Sequence, residues 1–118
     1  MKYMLLIHNS PQGMSENSSQ EKIDAEMAAH AAFAGLIAPR GGTFYGEALL
    51  QPETARSIRP LANGEFVVTD GPFSDVKEQV GGYYVIEAKD MDEAVDLARH
   101  CPSYAGIEVR QIWDIPTS

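Results

Sequence analysis

Two short segments of this chain, residues 2–8 and 82–88, are apolar on both sides of a strand. In the first, Tyr3, Leu5 and Ile7 alternate with Met4 and Leu6; in the second, Tyr83 and Val85 alternate with Tyr84 and Ile86. Successive side chains of a strand point to opposite faces, so both faces of the sheet that holds these strands must be covered. The chain has two helical patterns with which to do it. The first opens at Ser18, where Glu21 completes a capping box, and runs through Ile23, Met27, His30, Ala34 and Ile37 until Pro39-Arg40-Gly41-Gly42 stops it. The second is capped by Asp90 with Glu93, turns Met91, Ala94, Leu97, Ala98 and Cys101 inward, and ends at Pro102. Two helices cover one face of a small sheet. The simplest cover for the other is a second copy of the same sheet, which predicts a homodimer packed face to face; the alternative is an open face with scattered apolar residues.

The remaining segments complete the order. Residues 43–49 alternate as a strand, with Thr43, Tyr45, Glu47 and Leu49 on one face. Residues 55–61 and 65–70 flank Asn63-Gly64, which predicts a hairpin with a type I′ turn. Residues 107–114 form the last strand. The order β, α, β, hairpin, β, α, β predicts an α+β fold: a ferredoxin-like βαββαβ sandwich with an inserted β-hairpin, in a single domain spanning 1–118. A chain of 118 residues has room for one core.

Charge and cysteine usage narrow the function classes. Nine Lys and Arg against 17 Asp and Glu leave a net charge of −8, with no basic cluster, which argues against nucleic-acid or membrane-surface binding. Cys101, the single cysteine, supplies neither an internal disulfide nor a CxxC metal pair. The apolar run from Tyr3 to Ile7 is too short for a signal peptide, so a cytoplasmic location is expected.

Three polar residues stand where they could carry chemistry. Asp70 ends a strand in Thr69-Asp70-Gly71-Pro72-Phe73, a rigid strand end from which a carboxylate can project into a cleft; Asp-Gly-Pro is also ordinary turn chemistry. His30, spaced with Met27 and Ile37, belongs to the inward face of the first helix. There an imidazole can move protons near neutrality, or can be a core histidine satisfied by one hydrogen bond. Glu47 shares a face with Tyr45 and Leu49, which aims a carboxylate among apolar neighbours; it can equally lie on a solvated edge or pair with Arg56 or Arg59. A shared pocket of His30, Glu47 and Asp70 is expected, with Lys77 at its mouth and Tyr45 and Phe73 contributing to substrate binding. A His/Glu/Asp set also suits a facial metal triad, but no HxE or HxxxH spacing supports one, and no metal or cofactor is expected. His8 and His100 are weaker candidates, and no nucleophile elbow, Walker loop or Rossmann fingerprint is present.

Read end to end, the chain resembles the YCII-related family, in its DGPF subgroup. The resemblance rests on the opening MKYMLLI, on Met27-Ala28-Ala29-His30 with Phe33, on Gly46-Glu47-Ala48-Leu49, on VTDGPFSDVKEQVGGYYVIEAKDMDEA and on Ile107-Glu108-Val109-Arg110. Ser74, Asp75 and Val76 depart from the more typical DGPFAETKE, whereas Asp70, Lys77 and Glu78 match it; relatives frequently carry tyrosine at the His30 position. The resemblance implies a dimeric α+β barrel, among mostly uncharacterised bacterial proteins whose genes often neighbour extracytoplasmic-function sigma factors. Similarity to the lactone isomerases, dehalogenases and monooxygenases of that superfamily implies cofactor-free proton transfer or elimination on a small organic substrate. His30 would move the proton, Asp70 orient it and Glu47 act as second acid or base. The alternative is a non-catalytic dimer that binds a small molecule and serves sigma-factor signalling.

Overall fold

The computed structural model describes residues 1–10, 13–73 and 79–116. Six strands and two helices follow in the order β1 (Lys2–Asn9), α1 (Gln20–Ile37), β2 (Phe44–Ala48), β3 (Arg56–Pro60), β4 (Phe66–Asp70), β5 (Gln79–Glu87), α2 (Met91–Ala98) and β6 (Gly106–Gln111). Four of the strands form one antiparallel sheet in the order β2-β5-β1-β6, and β3 with β4 forms a separate two-stranded ribbon. Without the ribbon this is the ferredoxin-like βαββαβ arrangement, so the expected fold class and its inserted hairpin are both present.

The register separates the two faces of the sheet. Tyr3, Leu5 and Ile7 stand opposite Ile86, Tyr84 and Gly82 on one side and Gln111, Val109 and Ile107 on the other. This face carries the core, where Tyr3, Leu5, Ile7 and Ile86 pack with Phe33 and Ile37 of α1 and with Ala94 and Ala98 of α2. The opposite face presents Met4 and Leu6, half-buried, with Tyr83, Tyr45 and Glu47 beside them. Val85 lies there too and is only 1% exposed, flanked in register by Met4 and Tyr45. Among the described residues no helix covers this face, and the molecule measures 50 × 49 × 19 Å, the thickness of one sheet and one helical layer.

Several boundaries differ from the sequence reading. Ser19, rather than Ser18, caps α1 by accepting the Lys22 N–H at 3.2 Å; the Ser18 hydroxyl instead accepts from Ser15 N–H at 2.9 Å. The inward stripe of α1 is Glu26, His30, Phe33 and Ile37, while Met27 is 55% exposed. A stripe at 3.6-residue period drifts around the helix, and Phe33, the bulkier residue, takes the position that faces the sheet. Asp90 caps α2 as expected, accepting the Glu93 N–H at 2.9 Å. The hairpin turn is of another type. Among the described residues only glycines have positive φ, Gly64 at +88° among them, so Asn63 cannot complete a type I′ turn. Leu61 carbonyl accepts from Gly64 N–H at 3.1 Å, Leu61 N–H donates to Glu65 at 2.7 Å, and the Asn63 side chain accepts from Glu65 N–H at 3.0 Å. This is a three-residue loop closed by a glycine bulge. No helix among the described residues is long and apolar enough to cross a membrane.

Candidate functional site

Of the residues singled out from sequence, His30 has the most structured surroundings. It projects from the middle of α1 toward the helix-covered face of the sheet and keeps 21% of its side chain exposed. Its Nδ1 lies 2.7 Å from the hydroxyl of Tyr84 on β5. Its Nε2 faces the carboxylate of Glu26, one turn earlier on the same helix, at 3.7 Å. The Tyr104 phenol, in the loop before β6, lies close enough to Glu26 for that carboxylate to raise its pKa. Tyr84, His30 and Glu26 thus form a short chain across the contact between helix and sheet.

The electrostatics follow from the packing. Burial pushes the His30 imidazole below its ordinary value, since a charged ring loses solvation there; the nearby Glu26 carboxylate partly offsets this. Burial raises the Tyr84 hydroxyl, and the nearby Glu26 carboxylate raises that of Tyr104, because each phenol is held in its protonated form. At neutral pH the chain therefore comprises a neutral imidazole between the neutral Tyr84 phenol and the Glu26 carboxylate. Such a set can donate, accept and relay protons without a large change in solvation. Burial also pushes the Cys101 thiol up to about 12, which leaves it an inert core group.

The other expected site residues are not gathered around His30 within one chain. Glu47 is exposed on β2, on the face away from the helices, where it stands opposite Tyr83. Strand alternation explains this: Phe44 on the same strand packs edge-on against Phe33, and odd-numbered neighbours must then point away. Tyr45 shares the open face and is 56% exposed. Asp70 ends β4 in the separate ribbon; its side chain is 93% exposed and lies 3.6 Å from Arg56 Nε. Phe73 is 64% exposed under the guanidinium of Arg59, 4.4 Å from the ring centre. Lys77 lies outside the described residues. The expected common pocket of His30, Glu47 and Asp70 is thus not formed by the single chain, because the three lie on a helix, the opposite sheet face and a different sheet.

A cavity of about 550 Å³ opens instead at the ends of β1 and β5. Asn9, Glu16, Leu50, Gln51 and Gln79 line it, together with Gly71 and Pro72 of the turn that follows Asp70. The Glu16 carboxylate accepts from the Gln51 N–H at 3.2 Å across its wall. Among the described residues, no three His, Cys, Asp or Glu side chains are gathered closely enough to hold a metal ion.

Sequence reasoning missed Glu26, Tyr84 and Tyr104. Glu26 was accessible in principle, since it precedes His30 by four residues and so shares its helical face. Tyr84 required knowledge of which face of β5 meets α1, and an all-apolar strand does not reveal it.

Comparison with known proteins gives the family of the chain. A family model described as the YCII-related domain matches residues 1–116. The chain belongs to the YCII-related family. It is also 42% identical over 69 residues to an uncharacterised protein of Rhizobium meliloti (strain 1021), an alignment that takes in 55% of this chain and 56% of that protein. The chain therefore spans little more than half the length of that relative.

Proposed function

We propose that this YCII-related protein is a cofactor-free acid–base catalyst of proton transfer or elimination on a small organic substrate, acting as a cytoplasmic homodimer. The observation that carries the reading is the contact of His30 with two partners at once, Tyr84 at 2.7 Å and Glu26 at 3.7 Å. A 1,3-proton shift or an elimination needs one group that takes a proton and another that donates a proton or a hydrogen bond. His30 and Glu26 stand side by side, half-buried and still reachable from solvent, and can divide those roles. The homodimer is supported by Met4, Leu6, Tyr83 and Val85 on a sheet face that no helix covers. Exposed Ile58, Phe66 and Val68 on one side of the ribbon add apolar surface for the same contact.

The test is a panel of small lactones, halogenated acids and unsaturated carboxylic acids incubated with the protein and followed by proton NMR. Turnover of a member by wild type, reduced at least 100-fold in His30→Ala, is the expected result, the usual size of a general acid–base contribution. Thermal stabilisation by a panel member without turnover would pass the protein to the class of non-catalytic small-molecule-binding dimers. Absence of both turnover and stabilisation across the panel would overturn the reading.

A further inference from the structure

Gly46 has no backbone reason to be glycine. The glycines with positive φ are 41, 42, 64, 71 and 106, and Gly46 is not among them. Its reason is space: a Cβ at this position would run into the backbone carbonyl oxygen of Tyr83 and would stand 2.6 Å from Cδ1 of Tyr84 and 3.1 Å from its Cα. Gly46 and Tyr84 are register partners on β2 and β5, so the missing side chain admits both the close approach of the β5 backbone and the tyrosine ring beside it. There the ring stacks on Phe44 at 5.5 Å between centroids and tilts against Phe33 at 5.1 Å. Held by these three neighbours, its hydroxyl reaches His30 Nδ1.

We infer that Tyr84 is the positioning residue of the site, donating its hydroxyl proton to Nδ1 of His30 and so fixing the neutral imidazole with its own proton on Nε2, with Gly46 as the gap that admits the tyrosine ring. A neutral imidazole has one donor and one acceptor nitrogen. Glu26 faces Nε2, and a carboxylate there favours a proton on that atom; Nδ1 is then the acceptor, and the Tyr84 hydroxyl is its donor. The groups around His30 are Glu26 on α1, Tyr84 on β5 and, near Glu26, Tyr104, whose ring centre lies 5.9 Å from the Lys22 ammonium. The Cys101 thiol, near Tyr84, stays neutral.

The consequence for chemistry rests on the acid–base reading above. A His30 with its proton on Nε2 enters the reaction as a hydrogen-bond donor, so the base is Glu26. That division suits a carbonyl compound with an acidic C–H next to the carbonyl. The C–H bond breaks, its proton goes to the Glu26 carboxylate, and the electron pair moves into the enolate, whose oxygen takes the hydrogen bond from Nε2. The same proton can return to carbon, or a leaving group on the next carbon can depart with the electron pair.

Nitrogen-15 NMR of the His30 ring, in wild type, Tyr84→Phe and Gly46→Ala, tests the positioning without any substrate. Wild type should show the Nε2–H tautomer. Tyr84→Phe should mix the tautomers and raise the His30 pKa by about 0.5–1 unit, the size expected for loss of one neutral hydrogen bond to the uncharged form. Gly46→Ala should reproduce the mixed tautomers; should it fail to fold, Tyr84→Phe carries the test alone. A wild-type Nδ1–H tautomer, or a Tyr84→Phe ring that keeps the wild-type tautomer, would overturn the assignment. Deuterium exchange next to the carbonyl, measured on small keto acids in heavy water, tests the chemistry separately. Exchange lost at least 100-fold in Glu26→Gln is the expected result. No exchange in wild type, with the tautomer as assigned, would sink the carbonyl chemistry and leave the positioning role standing.

Discussion

At the scale of single residues, burial and one or two hydrogen bonds decide how each ionisable group behaves. His30 has a lowered pKa because its ring loses water between α1 and the sheet. In the unfolded chain an ordinary histidine takes up its proton near 6.5, while the folded protein resists until a lower pH. This contribution to stability is complete above about pH 6.5 and is lost as pH falls from there toward the folded value. Denaturant unfolding at pH 7.5 and 5.5 should therefore show a larger acid loss for wild type than for His30→Gln. An equal loss in both would remove the burial argument. Because Glu26 raises the His30 pKa, Glu26→Gln should lower it further, and a titration by NMR checks the sign. Glu87 acts the same way at lower pH. Its carboxylate accepts from the Thr43 N–H at 3.0 Å and hydroxyl at 2.7 Å, which holds it below its ordinary value, so its contribution disappears as pH falls below about 4.5.

Elements are decided by local chemistry and by what each face meets. The N-terminal ends of both helices were legible to within a residue, since Ser19 and Asp90 cap through side-chain oxygens that few residue types supply, whereas α2 stops at Ala98, short of the Pro102 that was read as its end. The turn of the ribbon was legible as a turn but not in type, because Asn63 uses its side chain on Glu65 N–H and leaves the positive φ to Gly64 alone. Gly64→Ala should cost about 1–2 kcal/mol locally, read as faster hydrogen exchange at Leu61 and Gly64 with the β1 amides unchanged. In the core, Phe33 touches Phe44 and Tyr84 and is 1% exposed. Phe33→Ala should lower stability by about 3–5 kcal/mol, and calorimetry or urea unfolding measures it. A loss under 1 kcal/mol would mean that α1 repacks without it.

For the whole molecule, the uncovered sheet face is the main consequence of having two helices and a four-stranded sheet. Tyr45 is exposed in the single chain, so Tyr45→Lys leaves the chain's own core untouched and places a charge on that face. Light scattering at micromolar concentration should find a dimer for wild type and a shift toward monomer for Tyr45→Lys. A wild-type monomer would remove the face-to-face assembly. Tyr84 belongs to the opposite, helix-covered face, so a charge there would test the core and the His30 site rather than assembly.

The order of strands and helices, the inserted ribbon and the one-sided helical cover could all be read from the sequence. They follow from local periodicity, capping oxygens and turn glycines, each of which acts within a few residues. So could His30 as an inward group, because helical spacing with Ile37 fixes its side. What only the tertiary structure decided is which strand face the helices meet. That choice sends Glu47 and Tyr45 to the open face and turns Tyr84 toward His30. In a strand apolar on both sides, the two faces are chemically equivalent until packing distinguishes them. The choice also explains Gly46, whose role exists only once the ring of Tyr84 lies beside it. Asp70, at the end of a ribbon outside the main sheet, was separated from His30 by topology, which no local pattern encodes.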